Sequence, residues 1–233
     1  MSIVLTGSDT TADPIYEKLR RLLIAGRYAP GEHLVEERLA HDLGVSRTPV
    51  RQALARAAAE GLVRIYPNRG AVVRTFTPED LIDAYDLRAV LEGYAAYQAV
   101  FRITPEQLAG MEQHAAALEA SLEQTFASTE EEILFLVEQN QHFHTIIITA
   151  SGNQRLAEML MLVVNVPLQY RSFNWYTSDE RRVSNFFHRS ILQALRARHP
   201  DRARATMQEH IYRGRDALLK SLIETEKLSS PGM

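Results

Sequence analysis

The chain has 233 residues, of which 45% are hydrophobic and 24% charged, with a formal net charge of -3 and no cysteine. That length fits one or two domains, and the missing cysteines exclude disulfides, thiolate metal sites and cysteine nucleophiles. Charge is uneven: residues 1–76 hold 11 Lys+Arg against 8 Asp+Glu (+3) and the remainder 15 against 21 (−6), which suits a polyanion contact confined to the N-terminal part.

No run approaches the roughly 18 apolar residues of a membrane span. The opening MSIVLTGSDTTADP lacks the basic flank and apolar core of a secretion signal. A cytoplasmic protein without membrane contact is the expectation.

Residues 1–12 are polar and read as a flexible tail. Asp13 and Pro14 open a helix with Ile15, Leu19, Leu22 and Leu23 on one face and Lys18, Arg20 and Arg21 outside, and Gly26 ends it. After the Pro30-Gly31 turn, Glu36 to Asp42 places Leu39, Ala40 and the following Leu43 at helical spacing, and Gly44 breaks the pattern. Ser46 is a suitable N-cap for the next helix, with Pro49 in its first turn. That helix turns Val50, Ala53, Leu54 and Ala57 inward and stops at Gly61. Arg47, Thr48, Arg51 and Gln52 are left outside on its N-terminal half. In a helix-turn-helix this half enters the DNA major groove, where Arg bonds guanine O6 and N7 and Gln bonds adenine. Ser46 and Arg38 flank the same surface.

Leu62, Val63 and Ile65, then Val72 and Val73 beyond Pro67-Asn68-Arg69-Gly70, read as a short hairpin, a wing. Arg69 and Gly70 stand at its tip, where an arginine can enter a narrow minor groove. From Thr77 onward every segment reads helical: about 78–101, 105–125, 130–150, 153–172, 180–198 and 200–226. Thr77-Pro78-Glu79-Asp80 and Thr104-Pro105-Glu106-Gln107 are start signals. Short connections between long helices indicate an antiparallel bundle. The expected organisation is a tail (1–12), a DNA-binding domain (13–75), a linker (76–78), an all-helical domain (79–226) and a second tail (227–233).

Asn140 and His144 are four apart and share a helix face. His188 and His210, on the last two helices, sit among the apolar residues Phe187, Ile191, Leu192, Met207 and Ile211. Three imidazoles and one oxygen from facing helices can hold a divalent first-row metal with positions left open. His142 points away from the Asn140–His144 face. An open metal site admits two functions: a ligand receptor, or a metal-dependent hydrolase in which the ion activates water. A protein-binding adaptor is a third reading, disfavoured by the outward Arg47 and Arg51.

The run EERLAHDLGVSRTPVRQAL, with GRYAPGEHL before it and EGLVRIYPNRGAVV after it, resembles the winged helix-turn-helix of GntR-type bacterial transcription regulators. YDLRAVLEGYAA, NQHFHTIIITASGN and FHRSILQALRARHPDRARATMQEHI resemble the all-helical FCD effector domain of the FadR-like branch, in its shorter, six-helix VanR-like form. The resemblance implies a homodimer on a palindromic double-stranded operator and a divalent ion (zinc, nickel or manganese) on Asn140, His144, His188 and His210. It also implies that Arg88 faces an effector cavity, and a guanidinium fork beside a metal suits a small carboxylic-acid effector; Tyr85, Asn185, Arg171 and Trp175 are weaker lining candidates, each of which reads more readily as packing or surface. The bland alternative for Arg88 is a surface ion pair with Glu92 at i+4. Two positions depart from the family pattern: Asn140, where Asp is frequent, and Glu37, where many relatives carry Arg.

Overall fold

The computed structural model describes residues 14–66, 70–163 and 176–229. The chain divides into two compact units, Met1–Thr75 and Phe76–Met233.

The first unit runs α1 (Pro14–Ile24), β1 (His33–Leu34), α2 (Glu36–Leu43), α3 (Arg47–Ala59), β2 (Val63–Tyr66) and β3 (Gly70–Val73). Helix α1 packs on α3 through Tyr16, Leu19, Leu23 and Ile24. Ile15 and Leu22 are only half-buried, so the inward face is rotated from the one the apolar spacing suggested. Gly44 adopts φ 69° and donates its N–H to the His41 carbonyl at 3.1 Å, a left-handed stop that favours glycine. Ser46 holds the N-cap position of α3 in an extended conformation, yet its side chain makes no cap hydrogen bond. The expected hairpin pairs Val63 with Val73 and Tyr66 with Gly70, and β1 adds a third antiparallel strand against β3.

The second unit has six helices among the described residues: α4 (Pro78–Ala99), α5 (Pro105–Ala120), α6 (Thr129–Ala150), α7 (Gln154–Val163), α8 (Ser178–Arg196) and α9 (Pro200–Ser229). Thr77 with Asp80, Thr104 with Gln107 and Thr177 with Glu180 form reciprocal capping boxes that satisfy orphan N–H groups at three helix starts. Phe76 is buried in this unit's core and Thr77 caps α4, so residues 76–78 are part of the bundle. Helix α5 stops at Ala120, short of the expected 125, and α9 continues through Ser229. The expected continuation of α7 to 172 lies outside the described residues.

Helix α4 packs against α9, α6 and α7, α5 against α6 and α8, and α8 against α9. Phe143, Ile147, Ile191, Leu195 and Met207 anchor the core between them. Gly93 is the close-approach point of α4 and α9: a Cβ built there falls 2.7 Å from Gln208 Cγ. A bare backbone lets the two helices close on each other one residue from Glu92 and two from His210.

Candidate functional site

In the first unit the outward half of α3 is open. Ser46, Arg47, Thr48, Arg51 and Gln52 are all exposed, while Val50, Ala53, Leu54 and Ala57 are buried. Glu36 at the start of α2 reaches across to this surface. Its carboxylate accepts from Arg51 Nε at 3.0 Å and Nη2 at 2.8 Å, and lies 3.5 Å from Arg47 Nη2. The bidentate pair points the guanidinium of Arg51 along the surface and lowers the Glu36 pKa through that hydrogen bond. Arg38 is exposed and lies near Glu32 at 3.6 Å and Asp42 at 3.9 Å. Glu37 is exposed beside it. Gly70 opens β3 at φ 75°. Arg69 lies outside the described residues.

In the second unit His144 (α6), His188 (α8) and His210 (α9) converge, with one nitrogen from each lying within 4.8 Å of the others. His144 Nε2 and His210 Nε2 are 3.2 Å apart, and the rings of His188 and His210 have centroids 4.5 Å apart. All three are buried, and Asn140 is buried one turn before His144.

The orientation of His144 comes from a residue that sequence reasoning assigned to the surface. Glu92 Oε2 lies 2.6 Å from His144 Nδ1. A carboxylate can only accept, so Nδ1 carries the proton and the Nε2 lone pair points into the cluster. Glu92 Oε1 accepts in turn from Arg88 Nε at 2.9 Å. The Arg88–Glu92 pair at i+4 is real, but its side chains are only 6% and 2% exposed, so the small magnitude of a surface pair does not apply. Burial opposes the charge on Glu92; Arg88 and His144 outweigh it and hold the carboxyl at about 2.

Burial, followed by the neighbouring imidazoles, pushes His188 and His210 well below the ordinary histidine value. Neutral imidazole is the metal-ligating form. Both nitrogens of His188 and Nδ1 of His210 are buried without a hydrogen-bond partner. Burying such groups unpaired is unfavourable unless something else meets them, and a divalent cation at the centre meets the nitrogens that face it. The donor set therefore fits a zinc-like ion.

His210 also lines a cavity of about 300 Å³ together with Tyr176, Val183, Ser184, Gly214 and Ala217, and its charged lining is mixed, with Arg213 and Lys220 beside Asp179, Glu180 and Asp216. Tyr85 is buried with its ring 4.8 Å beneath the Arg88 guanidinium. Asn185 is not brought to this cavity: its Nδ2 donates to the Leu118 carbonyl at 3.1 Å and ties α8 to the end of α5. Arg171 and Trp175 lie outside the described residues. His142 is exposed, on the far side of α6 from the cluster.

Two family models match the chain: bacterial regulatory proteins of the gntR family over residues 11–73, and the FCD domain over residues 83–213. The chain is 29% identical over 199 residues to the Nta operon transcriptional regulator of Aminobacter aminovorans, covering 85% of this chain and 90% of that protein. It is 26% identical over 196 residues to YdhC, an HTH-type transcriptional regulator of Bacillus subtilis, covering 84% and 85%. The solved structure of E. coli McbR/YncC aligns with a TM-score of 0.72 at 25% identity, covering 89% of this chain and 96% of that one.

Proposed function

Because the chain belongs to the GntR family of bacterial transcription regulators and carries an FCD domain, we propose that it is a homodimer on a palindromic operator, controlled by a small carboxylic acid bound beside a divalent metal. The family and its relatives are regulators, not enzymes, which removes the hydrolase reading.

The observation that carries the effector site is the ordered chain Arg88–Glu92–His144 ending in three buried imidazoles. Asn140, His144, His188 and His210 would hold zinc, nickel or manganese, and the ion when bound supplies a Lewis-acidic position for a carboxylate oxygen. Arg88 gives its Nε–H to Glu92, so its terminal N–H groups are the ones presented to the ligand. The cavity at His210 is the entrance. Arg47, Thr48, Arg51 and Gln52 would read bases, with Ser46, Arg38, Arg69 and Gly70 toward the phosphates and minor groove.

Dimerisation fits the exposed face of α4. Leu87, Val90 and Tyr94 on the helix and Phe101 just beyond it recur at helical spacing, and are 43%, 56%, 42% and 61% exposed. A second copy packed on this stripe buries those side chains. Val90→Glu should then yield a monomer by light scattering.

The effector reading is tested by thermal shift with a panel of small mono-, di- and tricarboxylic acids, with and without zinc. Stabilisation should rise with acid concentration and require zinc. Arg88→Met should bind zinc and operator DNA yet need a much higher concentration of the same acid to change operator affinity. Identical response curves for both proteins would show that the effector is read elsewhere.

A further inference from the structure

We propose that His114 on α5 and His142 on α6 form a second, solvent-facing site for a divalent transition metal, separate from the buried cluster. Their rings have centroids 5.0 Å apart and are tilted by 36°, close enough for one nitrogen of each to share an ion. The two residues come from different helices, and α5 and α6 pack directly against each other, so the separation is set by regular backbone on both sides. His114 is half-buried and held in one orientation. Its Nδ1 lies 2.8 Å from Gln139 Oε1, one helical turn before His142 on α6. An amide oxygen accepts, so Nδ1 carries the proton and Nε2 keeps its lone pair. This is the role that Glu92 has for His144 in the buried cluster: a fixed partner on one nitrogen makes the other a ligand. His142 is exposed, so solvent reaches the space between the two rings.

Among the described residues, the buried trio is the only group of three or more His or carboxylate ligands. The exposed pair therefore supplies two protein nitrogens and water completes the shell. Two imidazoles favour copper, nickel and zinc over magnesium or calcium. Fewer protein ligands and free access to water make this the weaker and faster-exchanging of the two sites.

The test is calorimetric titration of the untagged, EDTA-stripped full chain with NiCl2 at pH 7.5. A weaker binding step should be present in the parent and in His188→Ala. It should be lost in His142→Ala, and separately in His114→Ala, with a drop in apparent affinity of roughly 10²-fold, because a second ligand held in place no longer adds its effective concentration. His142 is exposed, so its removal leaves the fold intact. A weaker step that vanishes in both variants supports the site, whatever becomes of the tight step assigned to the buried histidines. Superimposable isotherms for the parent, His114→Ala and His142→Ala would overturn it, the rings then being in contact without ligating.

Discussion

Glu92→Gln isolates the group that links the arginine to the three-histidine cluster. The substitution keeps the shape of the side chain and removes its charge. Glu92 is 2% exposed and accepts from Arg88 at 2.9 Å and from His144 at 2.6 Å. An amide can accept through one atom only; its NH2 group must face either the guanidinium or the Nδ1–H, donor against donor. The Arg88 guanidinium then stays buried without a counter-ion. Breaking a buried pair in this way costs about 3–5 kcal/mol, a large part of the ~5–15 kcal/mol that holds an ordinary domain folded. Urea unfolding of the EDTA-treated protein should show a lower midpoint with an unchanged slope. Zinc affinity should fall by about 10- to 100-fold, as it does when the hydrogen bond behind a ligating histidine is removed. The double variant Arg88→Met, Glu92→Gln buries no unpaired charge, so its destabilisation should be smaller than the sum of the two single losses. Unchanged zinc affinity in Glu92→Gln would refute the orienting role and leave Glu92 as a partner of Arg88 alone.

Acid should destabilise the apo-protein in a window set by His188 and His210. Both have folded-state pKa values below the unfolded value of about 6.5, so as pH falls below that value the unfolded chain takes up protons that the folded one refuses. Stability should therefore be flat above ~6.5 and fall below it, by up to about 1.4 kcal/mol per pH unit for each histidine; a flat urea midpoint from pH 7 to 5 would contradict their burial as neutral groups. Arg47→Ala should weaken operator binding by roughly 5- to 150-fold, the value of ~1–3 kcal/mol for a good base contact, with relaxed preference at one base pair; equal affinity in an anisotropy titration would remove it from the reading set. Glu36→Gln should raise affinity for random duplex DNA more than for operator, since it frees Arg51 and removes an anion from the DNA face; an unchanged ratio of the two affinities would show that the pair opens without consequence. Gly93→Ala puts a Cβ 2.7 Å from Gln208 Cγ, an overpacking worth about 1–3 kcal/mol, and a melting temperature equal to the parent's would show that α4 and α9 have slack there.

The features legible in the sequence are those carried by a few neighbouring residues. Thr77 with Asp80 and Thr104 with Gln107 announce helix starts because the capping box is a four-residue device. Gly44 marks the turn because its conformation favours glycine. Asn140 and His144 share a face by spacing alone. What was not legible depends on contacts between distant segments. A glutamate four residues after an arginine reads as a surface pair; only the approach of α9 at Gly93 buries Glu92 and turns it into the support for His144. Asn185 falls on the buried face of α8, but which backbone carbonyl it meets, 67 residues away, is set by the packing of α5. Strand β1 is two residues long, too short to show any alternation. The Glu36–Arg51 pair spans 15 residues and exists because the turn at Gly44 sets the angle between α2 and α3.

The same contacts bear on how a bound acid can act on DNA. A ligand shifts an equilibrium only by the difference between its affinities for the two states. The proposed centre draws one residue or more from each of α4, α6, α8 and α9: Arg88 and Glu92, His144, His188 and His210. A carboxylate that coordinates the ion and pairs with Arg88 fixes the distance between α4 and the histidine-bearing helices, so arrangements with another spacing lose either the metal bond or the ion pair. Arg88 is already tethered to Glu92, and Glu92 to His144. The ligand would meet the terminal N–H groups of the same guanidinium that Glu92 holds through Nε, so any displacement of Arg88 would be felt at Glu92, then at His144 Nδ1 and the ion. Under this proposal effector, metal and the α4 backbone would form one coupled unit, and α4 is the helix that begins at Pro78, directly after the junction of the two units at Thr75 and Phe76. If this is the route, removing the metal and removing Arg88 should abolish the same fraction of the DNA response, and combining them should remove nothing further. Additive losses would mean that the ion and the arginine act on the DNA-binding unit through separate paths.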